Sequence, residues 1–213
     1  MKILITAFEP FNQEKVNPAL EAVRQLDPTL VKADLIKLEV PTAFYQAIGR
    51  VEAVIQAEQP DIVVAIGQAG GRYGITPERV AINLDDALIK DNLGQQPIDQ
   101  PIRKDGPAAY FSTLPIKAIV HQLRAAGIPA SVSNSAGTFV CNHLMYGILD
   151  ILTKSYPESR GGFIHVPYIP EQVVQKSNQP SMALDDITRG LVIALNTIIH
   201  YQTDLNLVGG TIA

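Results

Sequence analysis

The chain has 213 residues, 46% of them hydrophobic and 18% charged, with a formal net charge of −4. That balance supports one buried core of ordinary domain size, about 100–200 residues, and excludes a disordered polyelectrolyte. Lys and Arg are scattered, with no basic run longer than the pair Arg103 and Lys104, which argues against a nucleic-acid partner.

In chain order, residues 2–8 read as a buried strand, and residues 17–26 as a helix with Asn17 as N-cap before Pro18. Residues 34–40 form a second strand. Pro41 then opens an amphipathic helix to about residue 58, with Phe44, Ile48, Val51 and Ile55 at helical spacing. Residues 61–66 are nearly all apolar, the pattern of a strand buried on both faces. They run into the glycine-rich turn Gly67-Gln-Ala-Gly-Gly-Arg72, and residues 80–84 read as a short strand. Residues 91–106, rich in Gln, Pro, Asp and Gly, form a surface excursion.

The spacing then predicts a helix over 115–126 stopped by Gly127, a strand over 130–133, a helix over 138–154, a strand over 162–166 and a last helix over 182–201. The apolar tail 205–213 has no clear assignment. Strands alternating with helices imply a single α/β domain spanning 1–213, with an open, twisted, mostly parallel sheet and helices on both faces. Active sites of such sheets gather at the carboxyl ends of the strands.

No segment approaches the roughly 18–20 apolar residues needed to span a bilayer, and the N-terminus lacks the pattern of an export signal. A single cysteine forms no internal disulfide and suits a reducing compartment. The expectation is a cytoplasmic protein. No His-Glu-x-x-His or paired His/Cys set appears, so neither a metal nor a cofactor is implied.

Cys141 follows the strand 130–133 and the turn Asn134-Ser-Ala-Gly137, in the first turn of the next helix. A helix N-terminus favours the nucleophilic thiolate and offers N–H groups to an oxyanion, although free cysteine is also a common small core residue. Among four histidines, His121 and His200 lie inside helices, and His143, two residues from Cys141, points to another side of the helix. His165, in Phe163-Ile-His-Val-Pro167, ends a strand and suits a base. An acid would orient it, and Glu78, Asp85 and Asp86 all compete for that place. Spacing does not separate them, and Glu78 also has Arg79 beside it as a salt-bridge partner. The glycines of 67–74 match neither a dinucleotide fingerprint nor a P-loop, so a phosphate cradle is a weak alternative. A non-catalytic binding domain is another.

Taken together, Thr6-Ala-Phe-Glu-Pro-Phe11, Asn17-Pro18, Gly67-Gln-Ala-Gly-Gly-Arg72, Pro77-Glu-Arg-Val-Ala-Ile-Asn83, Tyr110-Phe-Ser-Thr-Leu-Pro115, Ser133-Asn-Ser-Ala-Gly137, Val140-Cys-Asn142 and Gly162-Phe-Ile-His-Val-Pro-Tyr168 resemble the pyrrolidone-carboxylate peptidases over nearly the whole chain. The resemblance implies a cysteine peptidase that removes an N-terminal pyroglutamyl residue from peptides. It implies Cys141 as nucleophile, His165 as base and Glu78 as orienting acid. It further implies Phe8 and Phe11 against the lactam, with Asn17, Gln68 and Val140 in the same pocket, and a homodimer or homotetramer. Three family glycines are replaced by Ala7, Asn12 and Gln13, and Leu88 stands where the family often has arginine.

Overall fold

The computed structural model describes residues 1–211. Five strands form the main sheet: β1 (Lys2–Phe8), β2 (Asp34–Val40), β3 (Ile62–Gln68), β4 (Thr76–Pro77) and β7 (Arg160–Val166). Their order is β2-β1-β3-β7-β4, parallel except for β4, which runs antiparallel to β7. A two-stranded antiparallel ribbon, β5 (Val80–Ile82) with β6 (Ala109–Phe111), stands apart.

The strand period of two splits the core between the two faces of the sheet. Ile3, Ile5 and Ala7 of β1 and Ile62, Val64 and Ile66 of β3 face one way, toward α1 (Pro18–Gln25), α3 (Ile116–Ala125) and α6 (Leu184–His200). Leu4 and Phe8, with Val63 and Ala65, face the other way, toward α2 (Gln46–Glu58) and α4 (Val140–Ser155). In β7, Ile164 and Val166 join the first core and Phe163 the second. His165, two residues from Phe163, therefore projects on the α4 side. A short helix, α5 (Pro170–Val173), follows β7.

Asn17 caps α1 as expected, its Oδ1 accepting the Ala19 N–H at 3.1 Å. Gly127 ends α3 with φ +76, and the N–H of Ile128 returns to the Leu123 carbonyl. Three expectations need correction. Residues 41–45 do not join α2, because Tyr45 takes a left-handed backbone (φ +62) and the Phe44 N–H is drawn to Asp91. Residues 80–84 give only the ribbon strand β5, paired with β6, which no local pattern revealed. Residues 130–133 make two isolated parallel bridges, Ile75 to Ala130 and Glu78 to Ser133, rather than a full strand. In the tail, the Gly209 carbonyl accepts from Arg79, while residues 212–213 lie outside the described residues. No described helix is long and apolar enough to cross a membrane.

Candidate active site

β1 and β3 are neighbours whose following segments diverge to opposite sides, and such a switch point opens a crevice at the strands' carboxyl ends. Cys141 arrives there as the second residue of α4. Phe139 caps that helix from an extended backbone (φ −100, ψ −166), and among the described residues no side chain bonds to the helix end. The first-turn N–H groups of Val140, Cys141 and Asn142 are thus left without side-chain acceptors.

Gly67 gives the sulfur its seat. A Cβ at Gly67 would lie 3.2 Å from Cys141 Sγ, and Gly67 is the register partner of His165 on the adjoining strand. The half-buried thiol therefore rests on the β3–β7 pair, on the face from which His165 projects.

Glu78 directly follows β4 alongside the same strand: Thr76 pairs with His165, and the Glu78 N–H donates to the Phe163 carbonyl at 2.9 Å. Glu78 Oε1 stands 2.7 Å from His165 Nδ1 and 2.6 Å from Arg72 Nη1. A carboxylate on Nδ1 holds that nitrogen as the proton donor and leaves Nε2 with its lone pair. Arg72 also donates to Thr76 Oγ1 at 2.6 Å and to the Ser135 carbonyl at 3.3 Å. Arg79, the rival partner for Glu78, turns instead to Asn134 and Gly209.

Glu78 is fully buried and His165 is 3% exposed. Burial alone would push the Glu78 carboxyl up. The hydrogen bond and charge of His165, the charge of Arg72 and the nearby Ser133 hydroxyl outweigh it and hold the carboxyl below its ordinary value. Burial pushes the His165 imidazole down, against the pull of Glu78, and Arg72 pushes the same way as burial. Burial, reinforced by Glu78 and only partly offset by Arg72, pushes the Cys141 thiol up to about 12.

The head of α4 acts in the opposite sense, favouring the thiolate.

The acids competing for His165 now separate. Asp85 is taken by His143, 2.8 Å away, and Asp86 is exposed and joined through its backbone to Thr138. Of the residues expected around a lactam, Phe11 is half-buried, with its ring 6.3 Å from that of Phe139. Val140 is buried at the head of α4. Gln68 ends β3, accepting from Gln172 at 2.9 Å. Asn17, besides capping α1, donates to the Glu9 carbonyl at 3.3 Å, which steadies the segment between Phe8 and Phe11. Phe8 itself is 2% exposed and packs in the core against Phe163, ring centres 6.4 Å apart.

Sequence reasoning gave no role to Arg72 or Phe139. Arg72 sits in a quoted motif, but its bond to Glu78 depends on β4 folding back along β7. The glycine-rich turn is built for packing: a Cβ on Gly67 would strike Phe163 and one on Gly70 would strike Tyr168. Gly71 turns the chain at φ +83. Asn12 and Gln13 hold φ of +52 and +64, so the segment keeps a backbone that glycine adopts at least cost. Leu88 is 93% exposed.

A thiol at a helix head, over a strand bearing an imidazole backed by a buried carboxylate, is an arrangement that suits a cysteine hydrolase on an α/β sheet. A family model described as pyroglutamyl peptidase matches residues 1–201. The chain is 58% identical to a pyrrolidone-carboxylate peptidase of Clostridium botulinum over 212 residues, covering 100% of both chains. It is 57% identical over 211 residues to one of Streptococcus pneumoniae, covering 99% of each. Among solved structures, pyroglutamyl peptidase I of Bacillus amyloliquefaciens is similar at 51% identity and TM-score 0.93, over 96% of this chain and 99% of that one. The pyrrolidone carboxyl peptidase of Thermococcus litoralis is similar at 37% identity and TM-score 0.92, over 97% and 99%. The chain belongs to the pyroglutamyl peptidase family and is a cysteine-type hydrolase.

Proposed function

We propose that this protein hydrolyses the bond after an N-terminal pyroglutamyl residue of peptides, with Cys141 as nucleophile, His165 as base and Glu78 as the acid that orients it. The observation that carries the reading is the His165 Nδ1 to Glu78 contact of 2.7 Å beside a cysteine seated over the register partner of His165. On attack the Cys141 proton passes to His165 Nε2 as sulfur bonds to the pyroglutamyl carbonyl carbon. The uncapped N–H groups at the head of α4 receive the oxyanion; losing one well-placed donor typically costs about 10²–10³ in turnover. His165 then returns the proton to the departing amine, leaving a thioester. Water, deprotonated by the same imidazole, hydrolyses it.

A pyroglutamyl residue has no ammonium, so aromatic faces and amide groups suffice to hold it. Phe11 and Val140, with Phe8, Gln68 and Asn17, are the residues assigned to that role. Residues 1–213 act as one catalytic domain, in the cytoplasm, as a homodimer or homotetramer.

The test is alkylation. The chain has one cysteine, so iodoacetamide modifies a single thiol and is expected to abolish release of a pyroglutamyl anilide. Free pyroglutamate, added first, is expected to slow the modification. Full activity after stoichiometric alkylation of Cys141 would refute the assignment.

A further inference from the structure

His143 is a fully buried imidazole that the hydrolytic mechanism does not use. Standing two residues after Cys141, it reaches away from His165. Its Nδ1 lies 2.8 Å from Asp85 Oδ2, and its Nε2 accepts the backbone N–H of Tyr45 at 2.8 Å. Because Nε2 is an acceptor, the ring proton sits on Nδ1 and points at the carboxylate. Asp85 is equally buried, and its Oδ1 has no partner among the described residues. An apolar side chain would fill this space without stranding a carboxylate oxygen, so directional bonding is what the pair adds.

Those bonds lead to the substrate side of the molecule. The Tyr45 N–H holds that residue in its left-handed backbone at the start of α2. The imidazole stands edge-on to Phe44 (5.3 Å, 88°) and to Tyr45 (5.0 Å, 89°). Phe44 stands edge-on to Phe139 (5.4 Å, 88°), and Phe139 lies against Phe11. From the other end of the pair, the neighbouring Asp86 is tied to Thr138 by two hydrogen bonds, of 3.0 and 2.7 Å. Both routes converge on residues 138 and 139, immediately before the nucleophile's helix.

We infer that Asp85 and His143 are positioning residues for substrate binding: they hold Tyr45 and Phe44 so that Phe139 keeps its place against Phe11. The inference rests on the proposed function, in which Phe11 contacts the pyroglutamyl ring. It predicts control of binding rather than of chemistry, since the pair touches neither His165 nor Glu78.

The experiment compares His143→Asn, whose amide can still donate to Asp85 but loses the acceptor for Tyr45, with His143→Gln, whose carbonyl can keep that acceptor. For His143→Asn, KM for a pyroglutamyl anilide and the inhibition constant of free pyroglutamate should rise together by about tenfold, the scale of one lost buried hydrogen bond. Its kcat should stay within about twofold of native, and His143→Gln should recover most of the binding. A lower unfolding temperature with KM and inhibition constant unmoved, or a fall in kcat alone, would overturn the inference.

Should His143→Asn fail to fold, Phe44→Leu breaks the contact with Phe139 and leaves the pair intact. It must give the same parallel rise, and unchanged binding overturns the inference. A native protein inert toward the anilide would remove the functional reading as well. An active native protein with unmoved variants would remove only the role of the pair.

Discussion

Gly67→Ala puts a single methyl group between Cys141 and the strand on which it rests. The new Cβ would lie 3.2 Å from Cys141 Sγ and 2.7 and 2.8 Å from Cζ and Cε1 of Phe163. Carbon contacts are comfortable at about 3.5–4.0 Å, so the sulfur must retreat by roughly half an ångström and the ring by about 1 Å. Phe163 has little room to move: it is fully buried, with ring centres 6.4 Å from Phe8 and 4.7 Å from His165. The displacement therefore reaches both the thiol and His165.

Overpacking of this kind typically costs about 1–3 kcal/mol in stability. A misplacement approaching 1 Å at the reacting atoms costs about a hundredfold in rate. We expect kcat on a pyroglutamyl anilide to fall by about 30- to 100-fold, with a folded protein and a modestly lower unfolding temperature, read by steady-state kinetics and thermal denaturation. Native kcat in a stable Gly67→Ala protein would refute the seating of Cys141 over the partner of His165.

The charges and the backbone carry three further predictions. Burial lowers the His165 pKa and Glu78 opposes it, so the acid limb of kcat/KM should fall below the ordinary imidazole value of about 6.5. Glu78→Gln removes the opposition and should move that limb to still lower pH while reducing kcat; a limb that moves upward contradicts the assigned pair. The same depressed imidazole makes the fold less stable as pH falls below about 6.5, because the unfolded chain then binds the proton more readily. Gln13 holds φ +64 without being glycine. Gln13→Gly should raise stability by about 0.5–1 kcal/mol in denaturant melts, the left-handed strain relieved less glycine's entropy, and a loss of that size would contradict the backbone described for residues 12–13.

Much of this architecture was legible because burial and periodicity are local properties. The limits of β1 and β2 match the expected 2–8 and 34–40, and Asn17 and Gly127 bound their helices through the chemistry expected of them. What failed depends on distant partners. β5 needs β6, almost thirty residues on, and β4 contains a proline, which strand propensity disfavours. The start of α2 is set by Asp91 and His143 rather than by Pro41. Cys141 and His165 stood out by residue type and strand-end position. Glu78, Asp85 and Asp86 were equivalent until the fold gave each its own partner. The helix head at Cys141 is legible in the sequence, whereas the burial that pushes its thiol up is not.

The most direct test of the account replaces the sulfur itself. Cys141→Ala, purified alongside the native protein, is expected to unfold at nearly the native temperature, to bind free pyroglutamate, and to release no measurable anilide from a pyroglutamyl substrate. Turnover at the native rate by that variant would contradict the central claim outright.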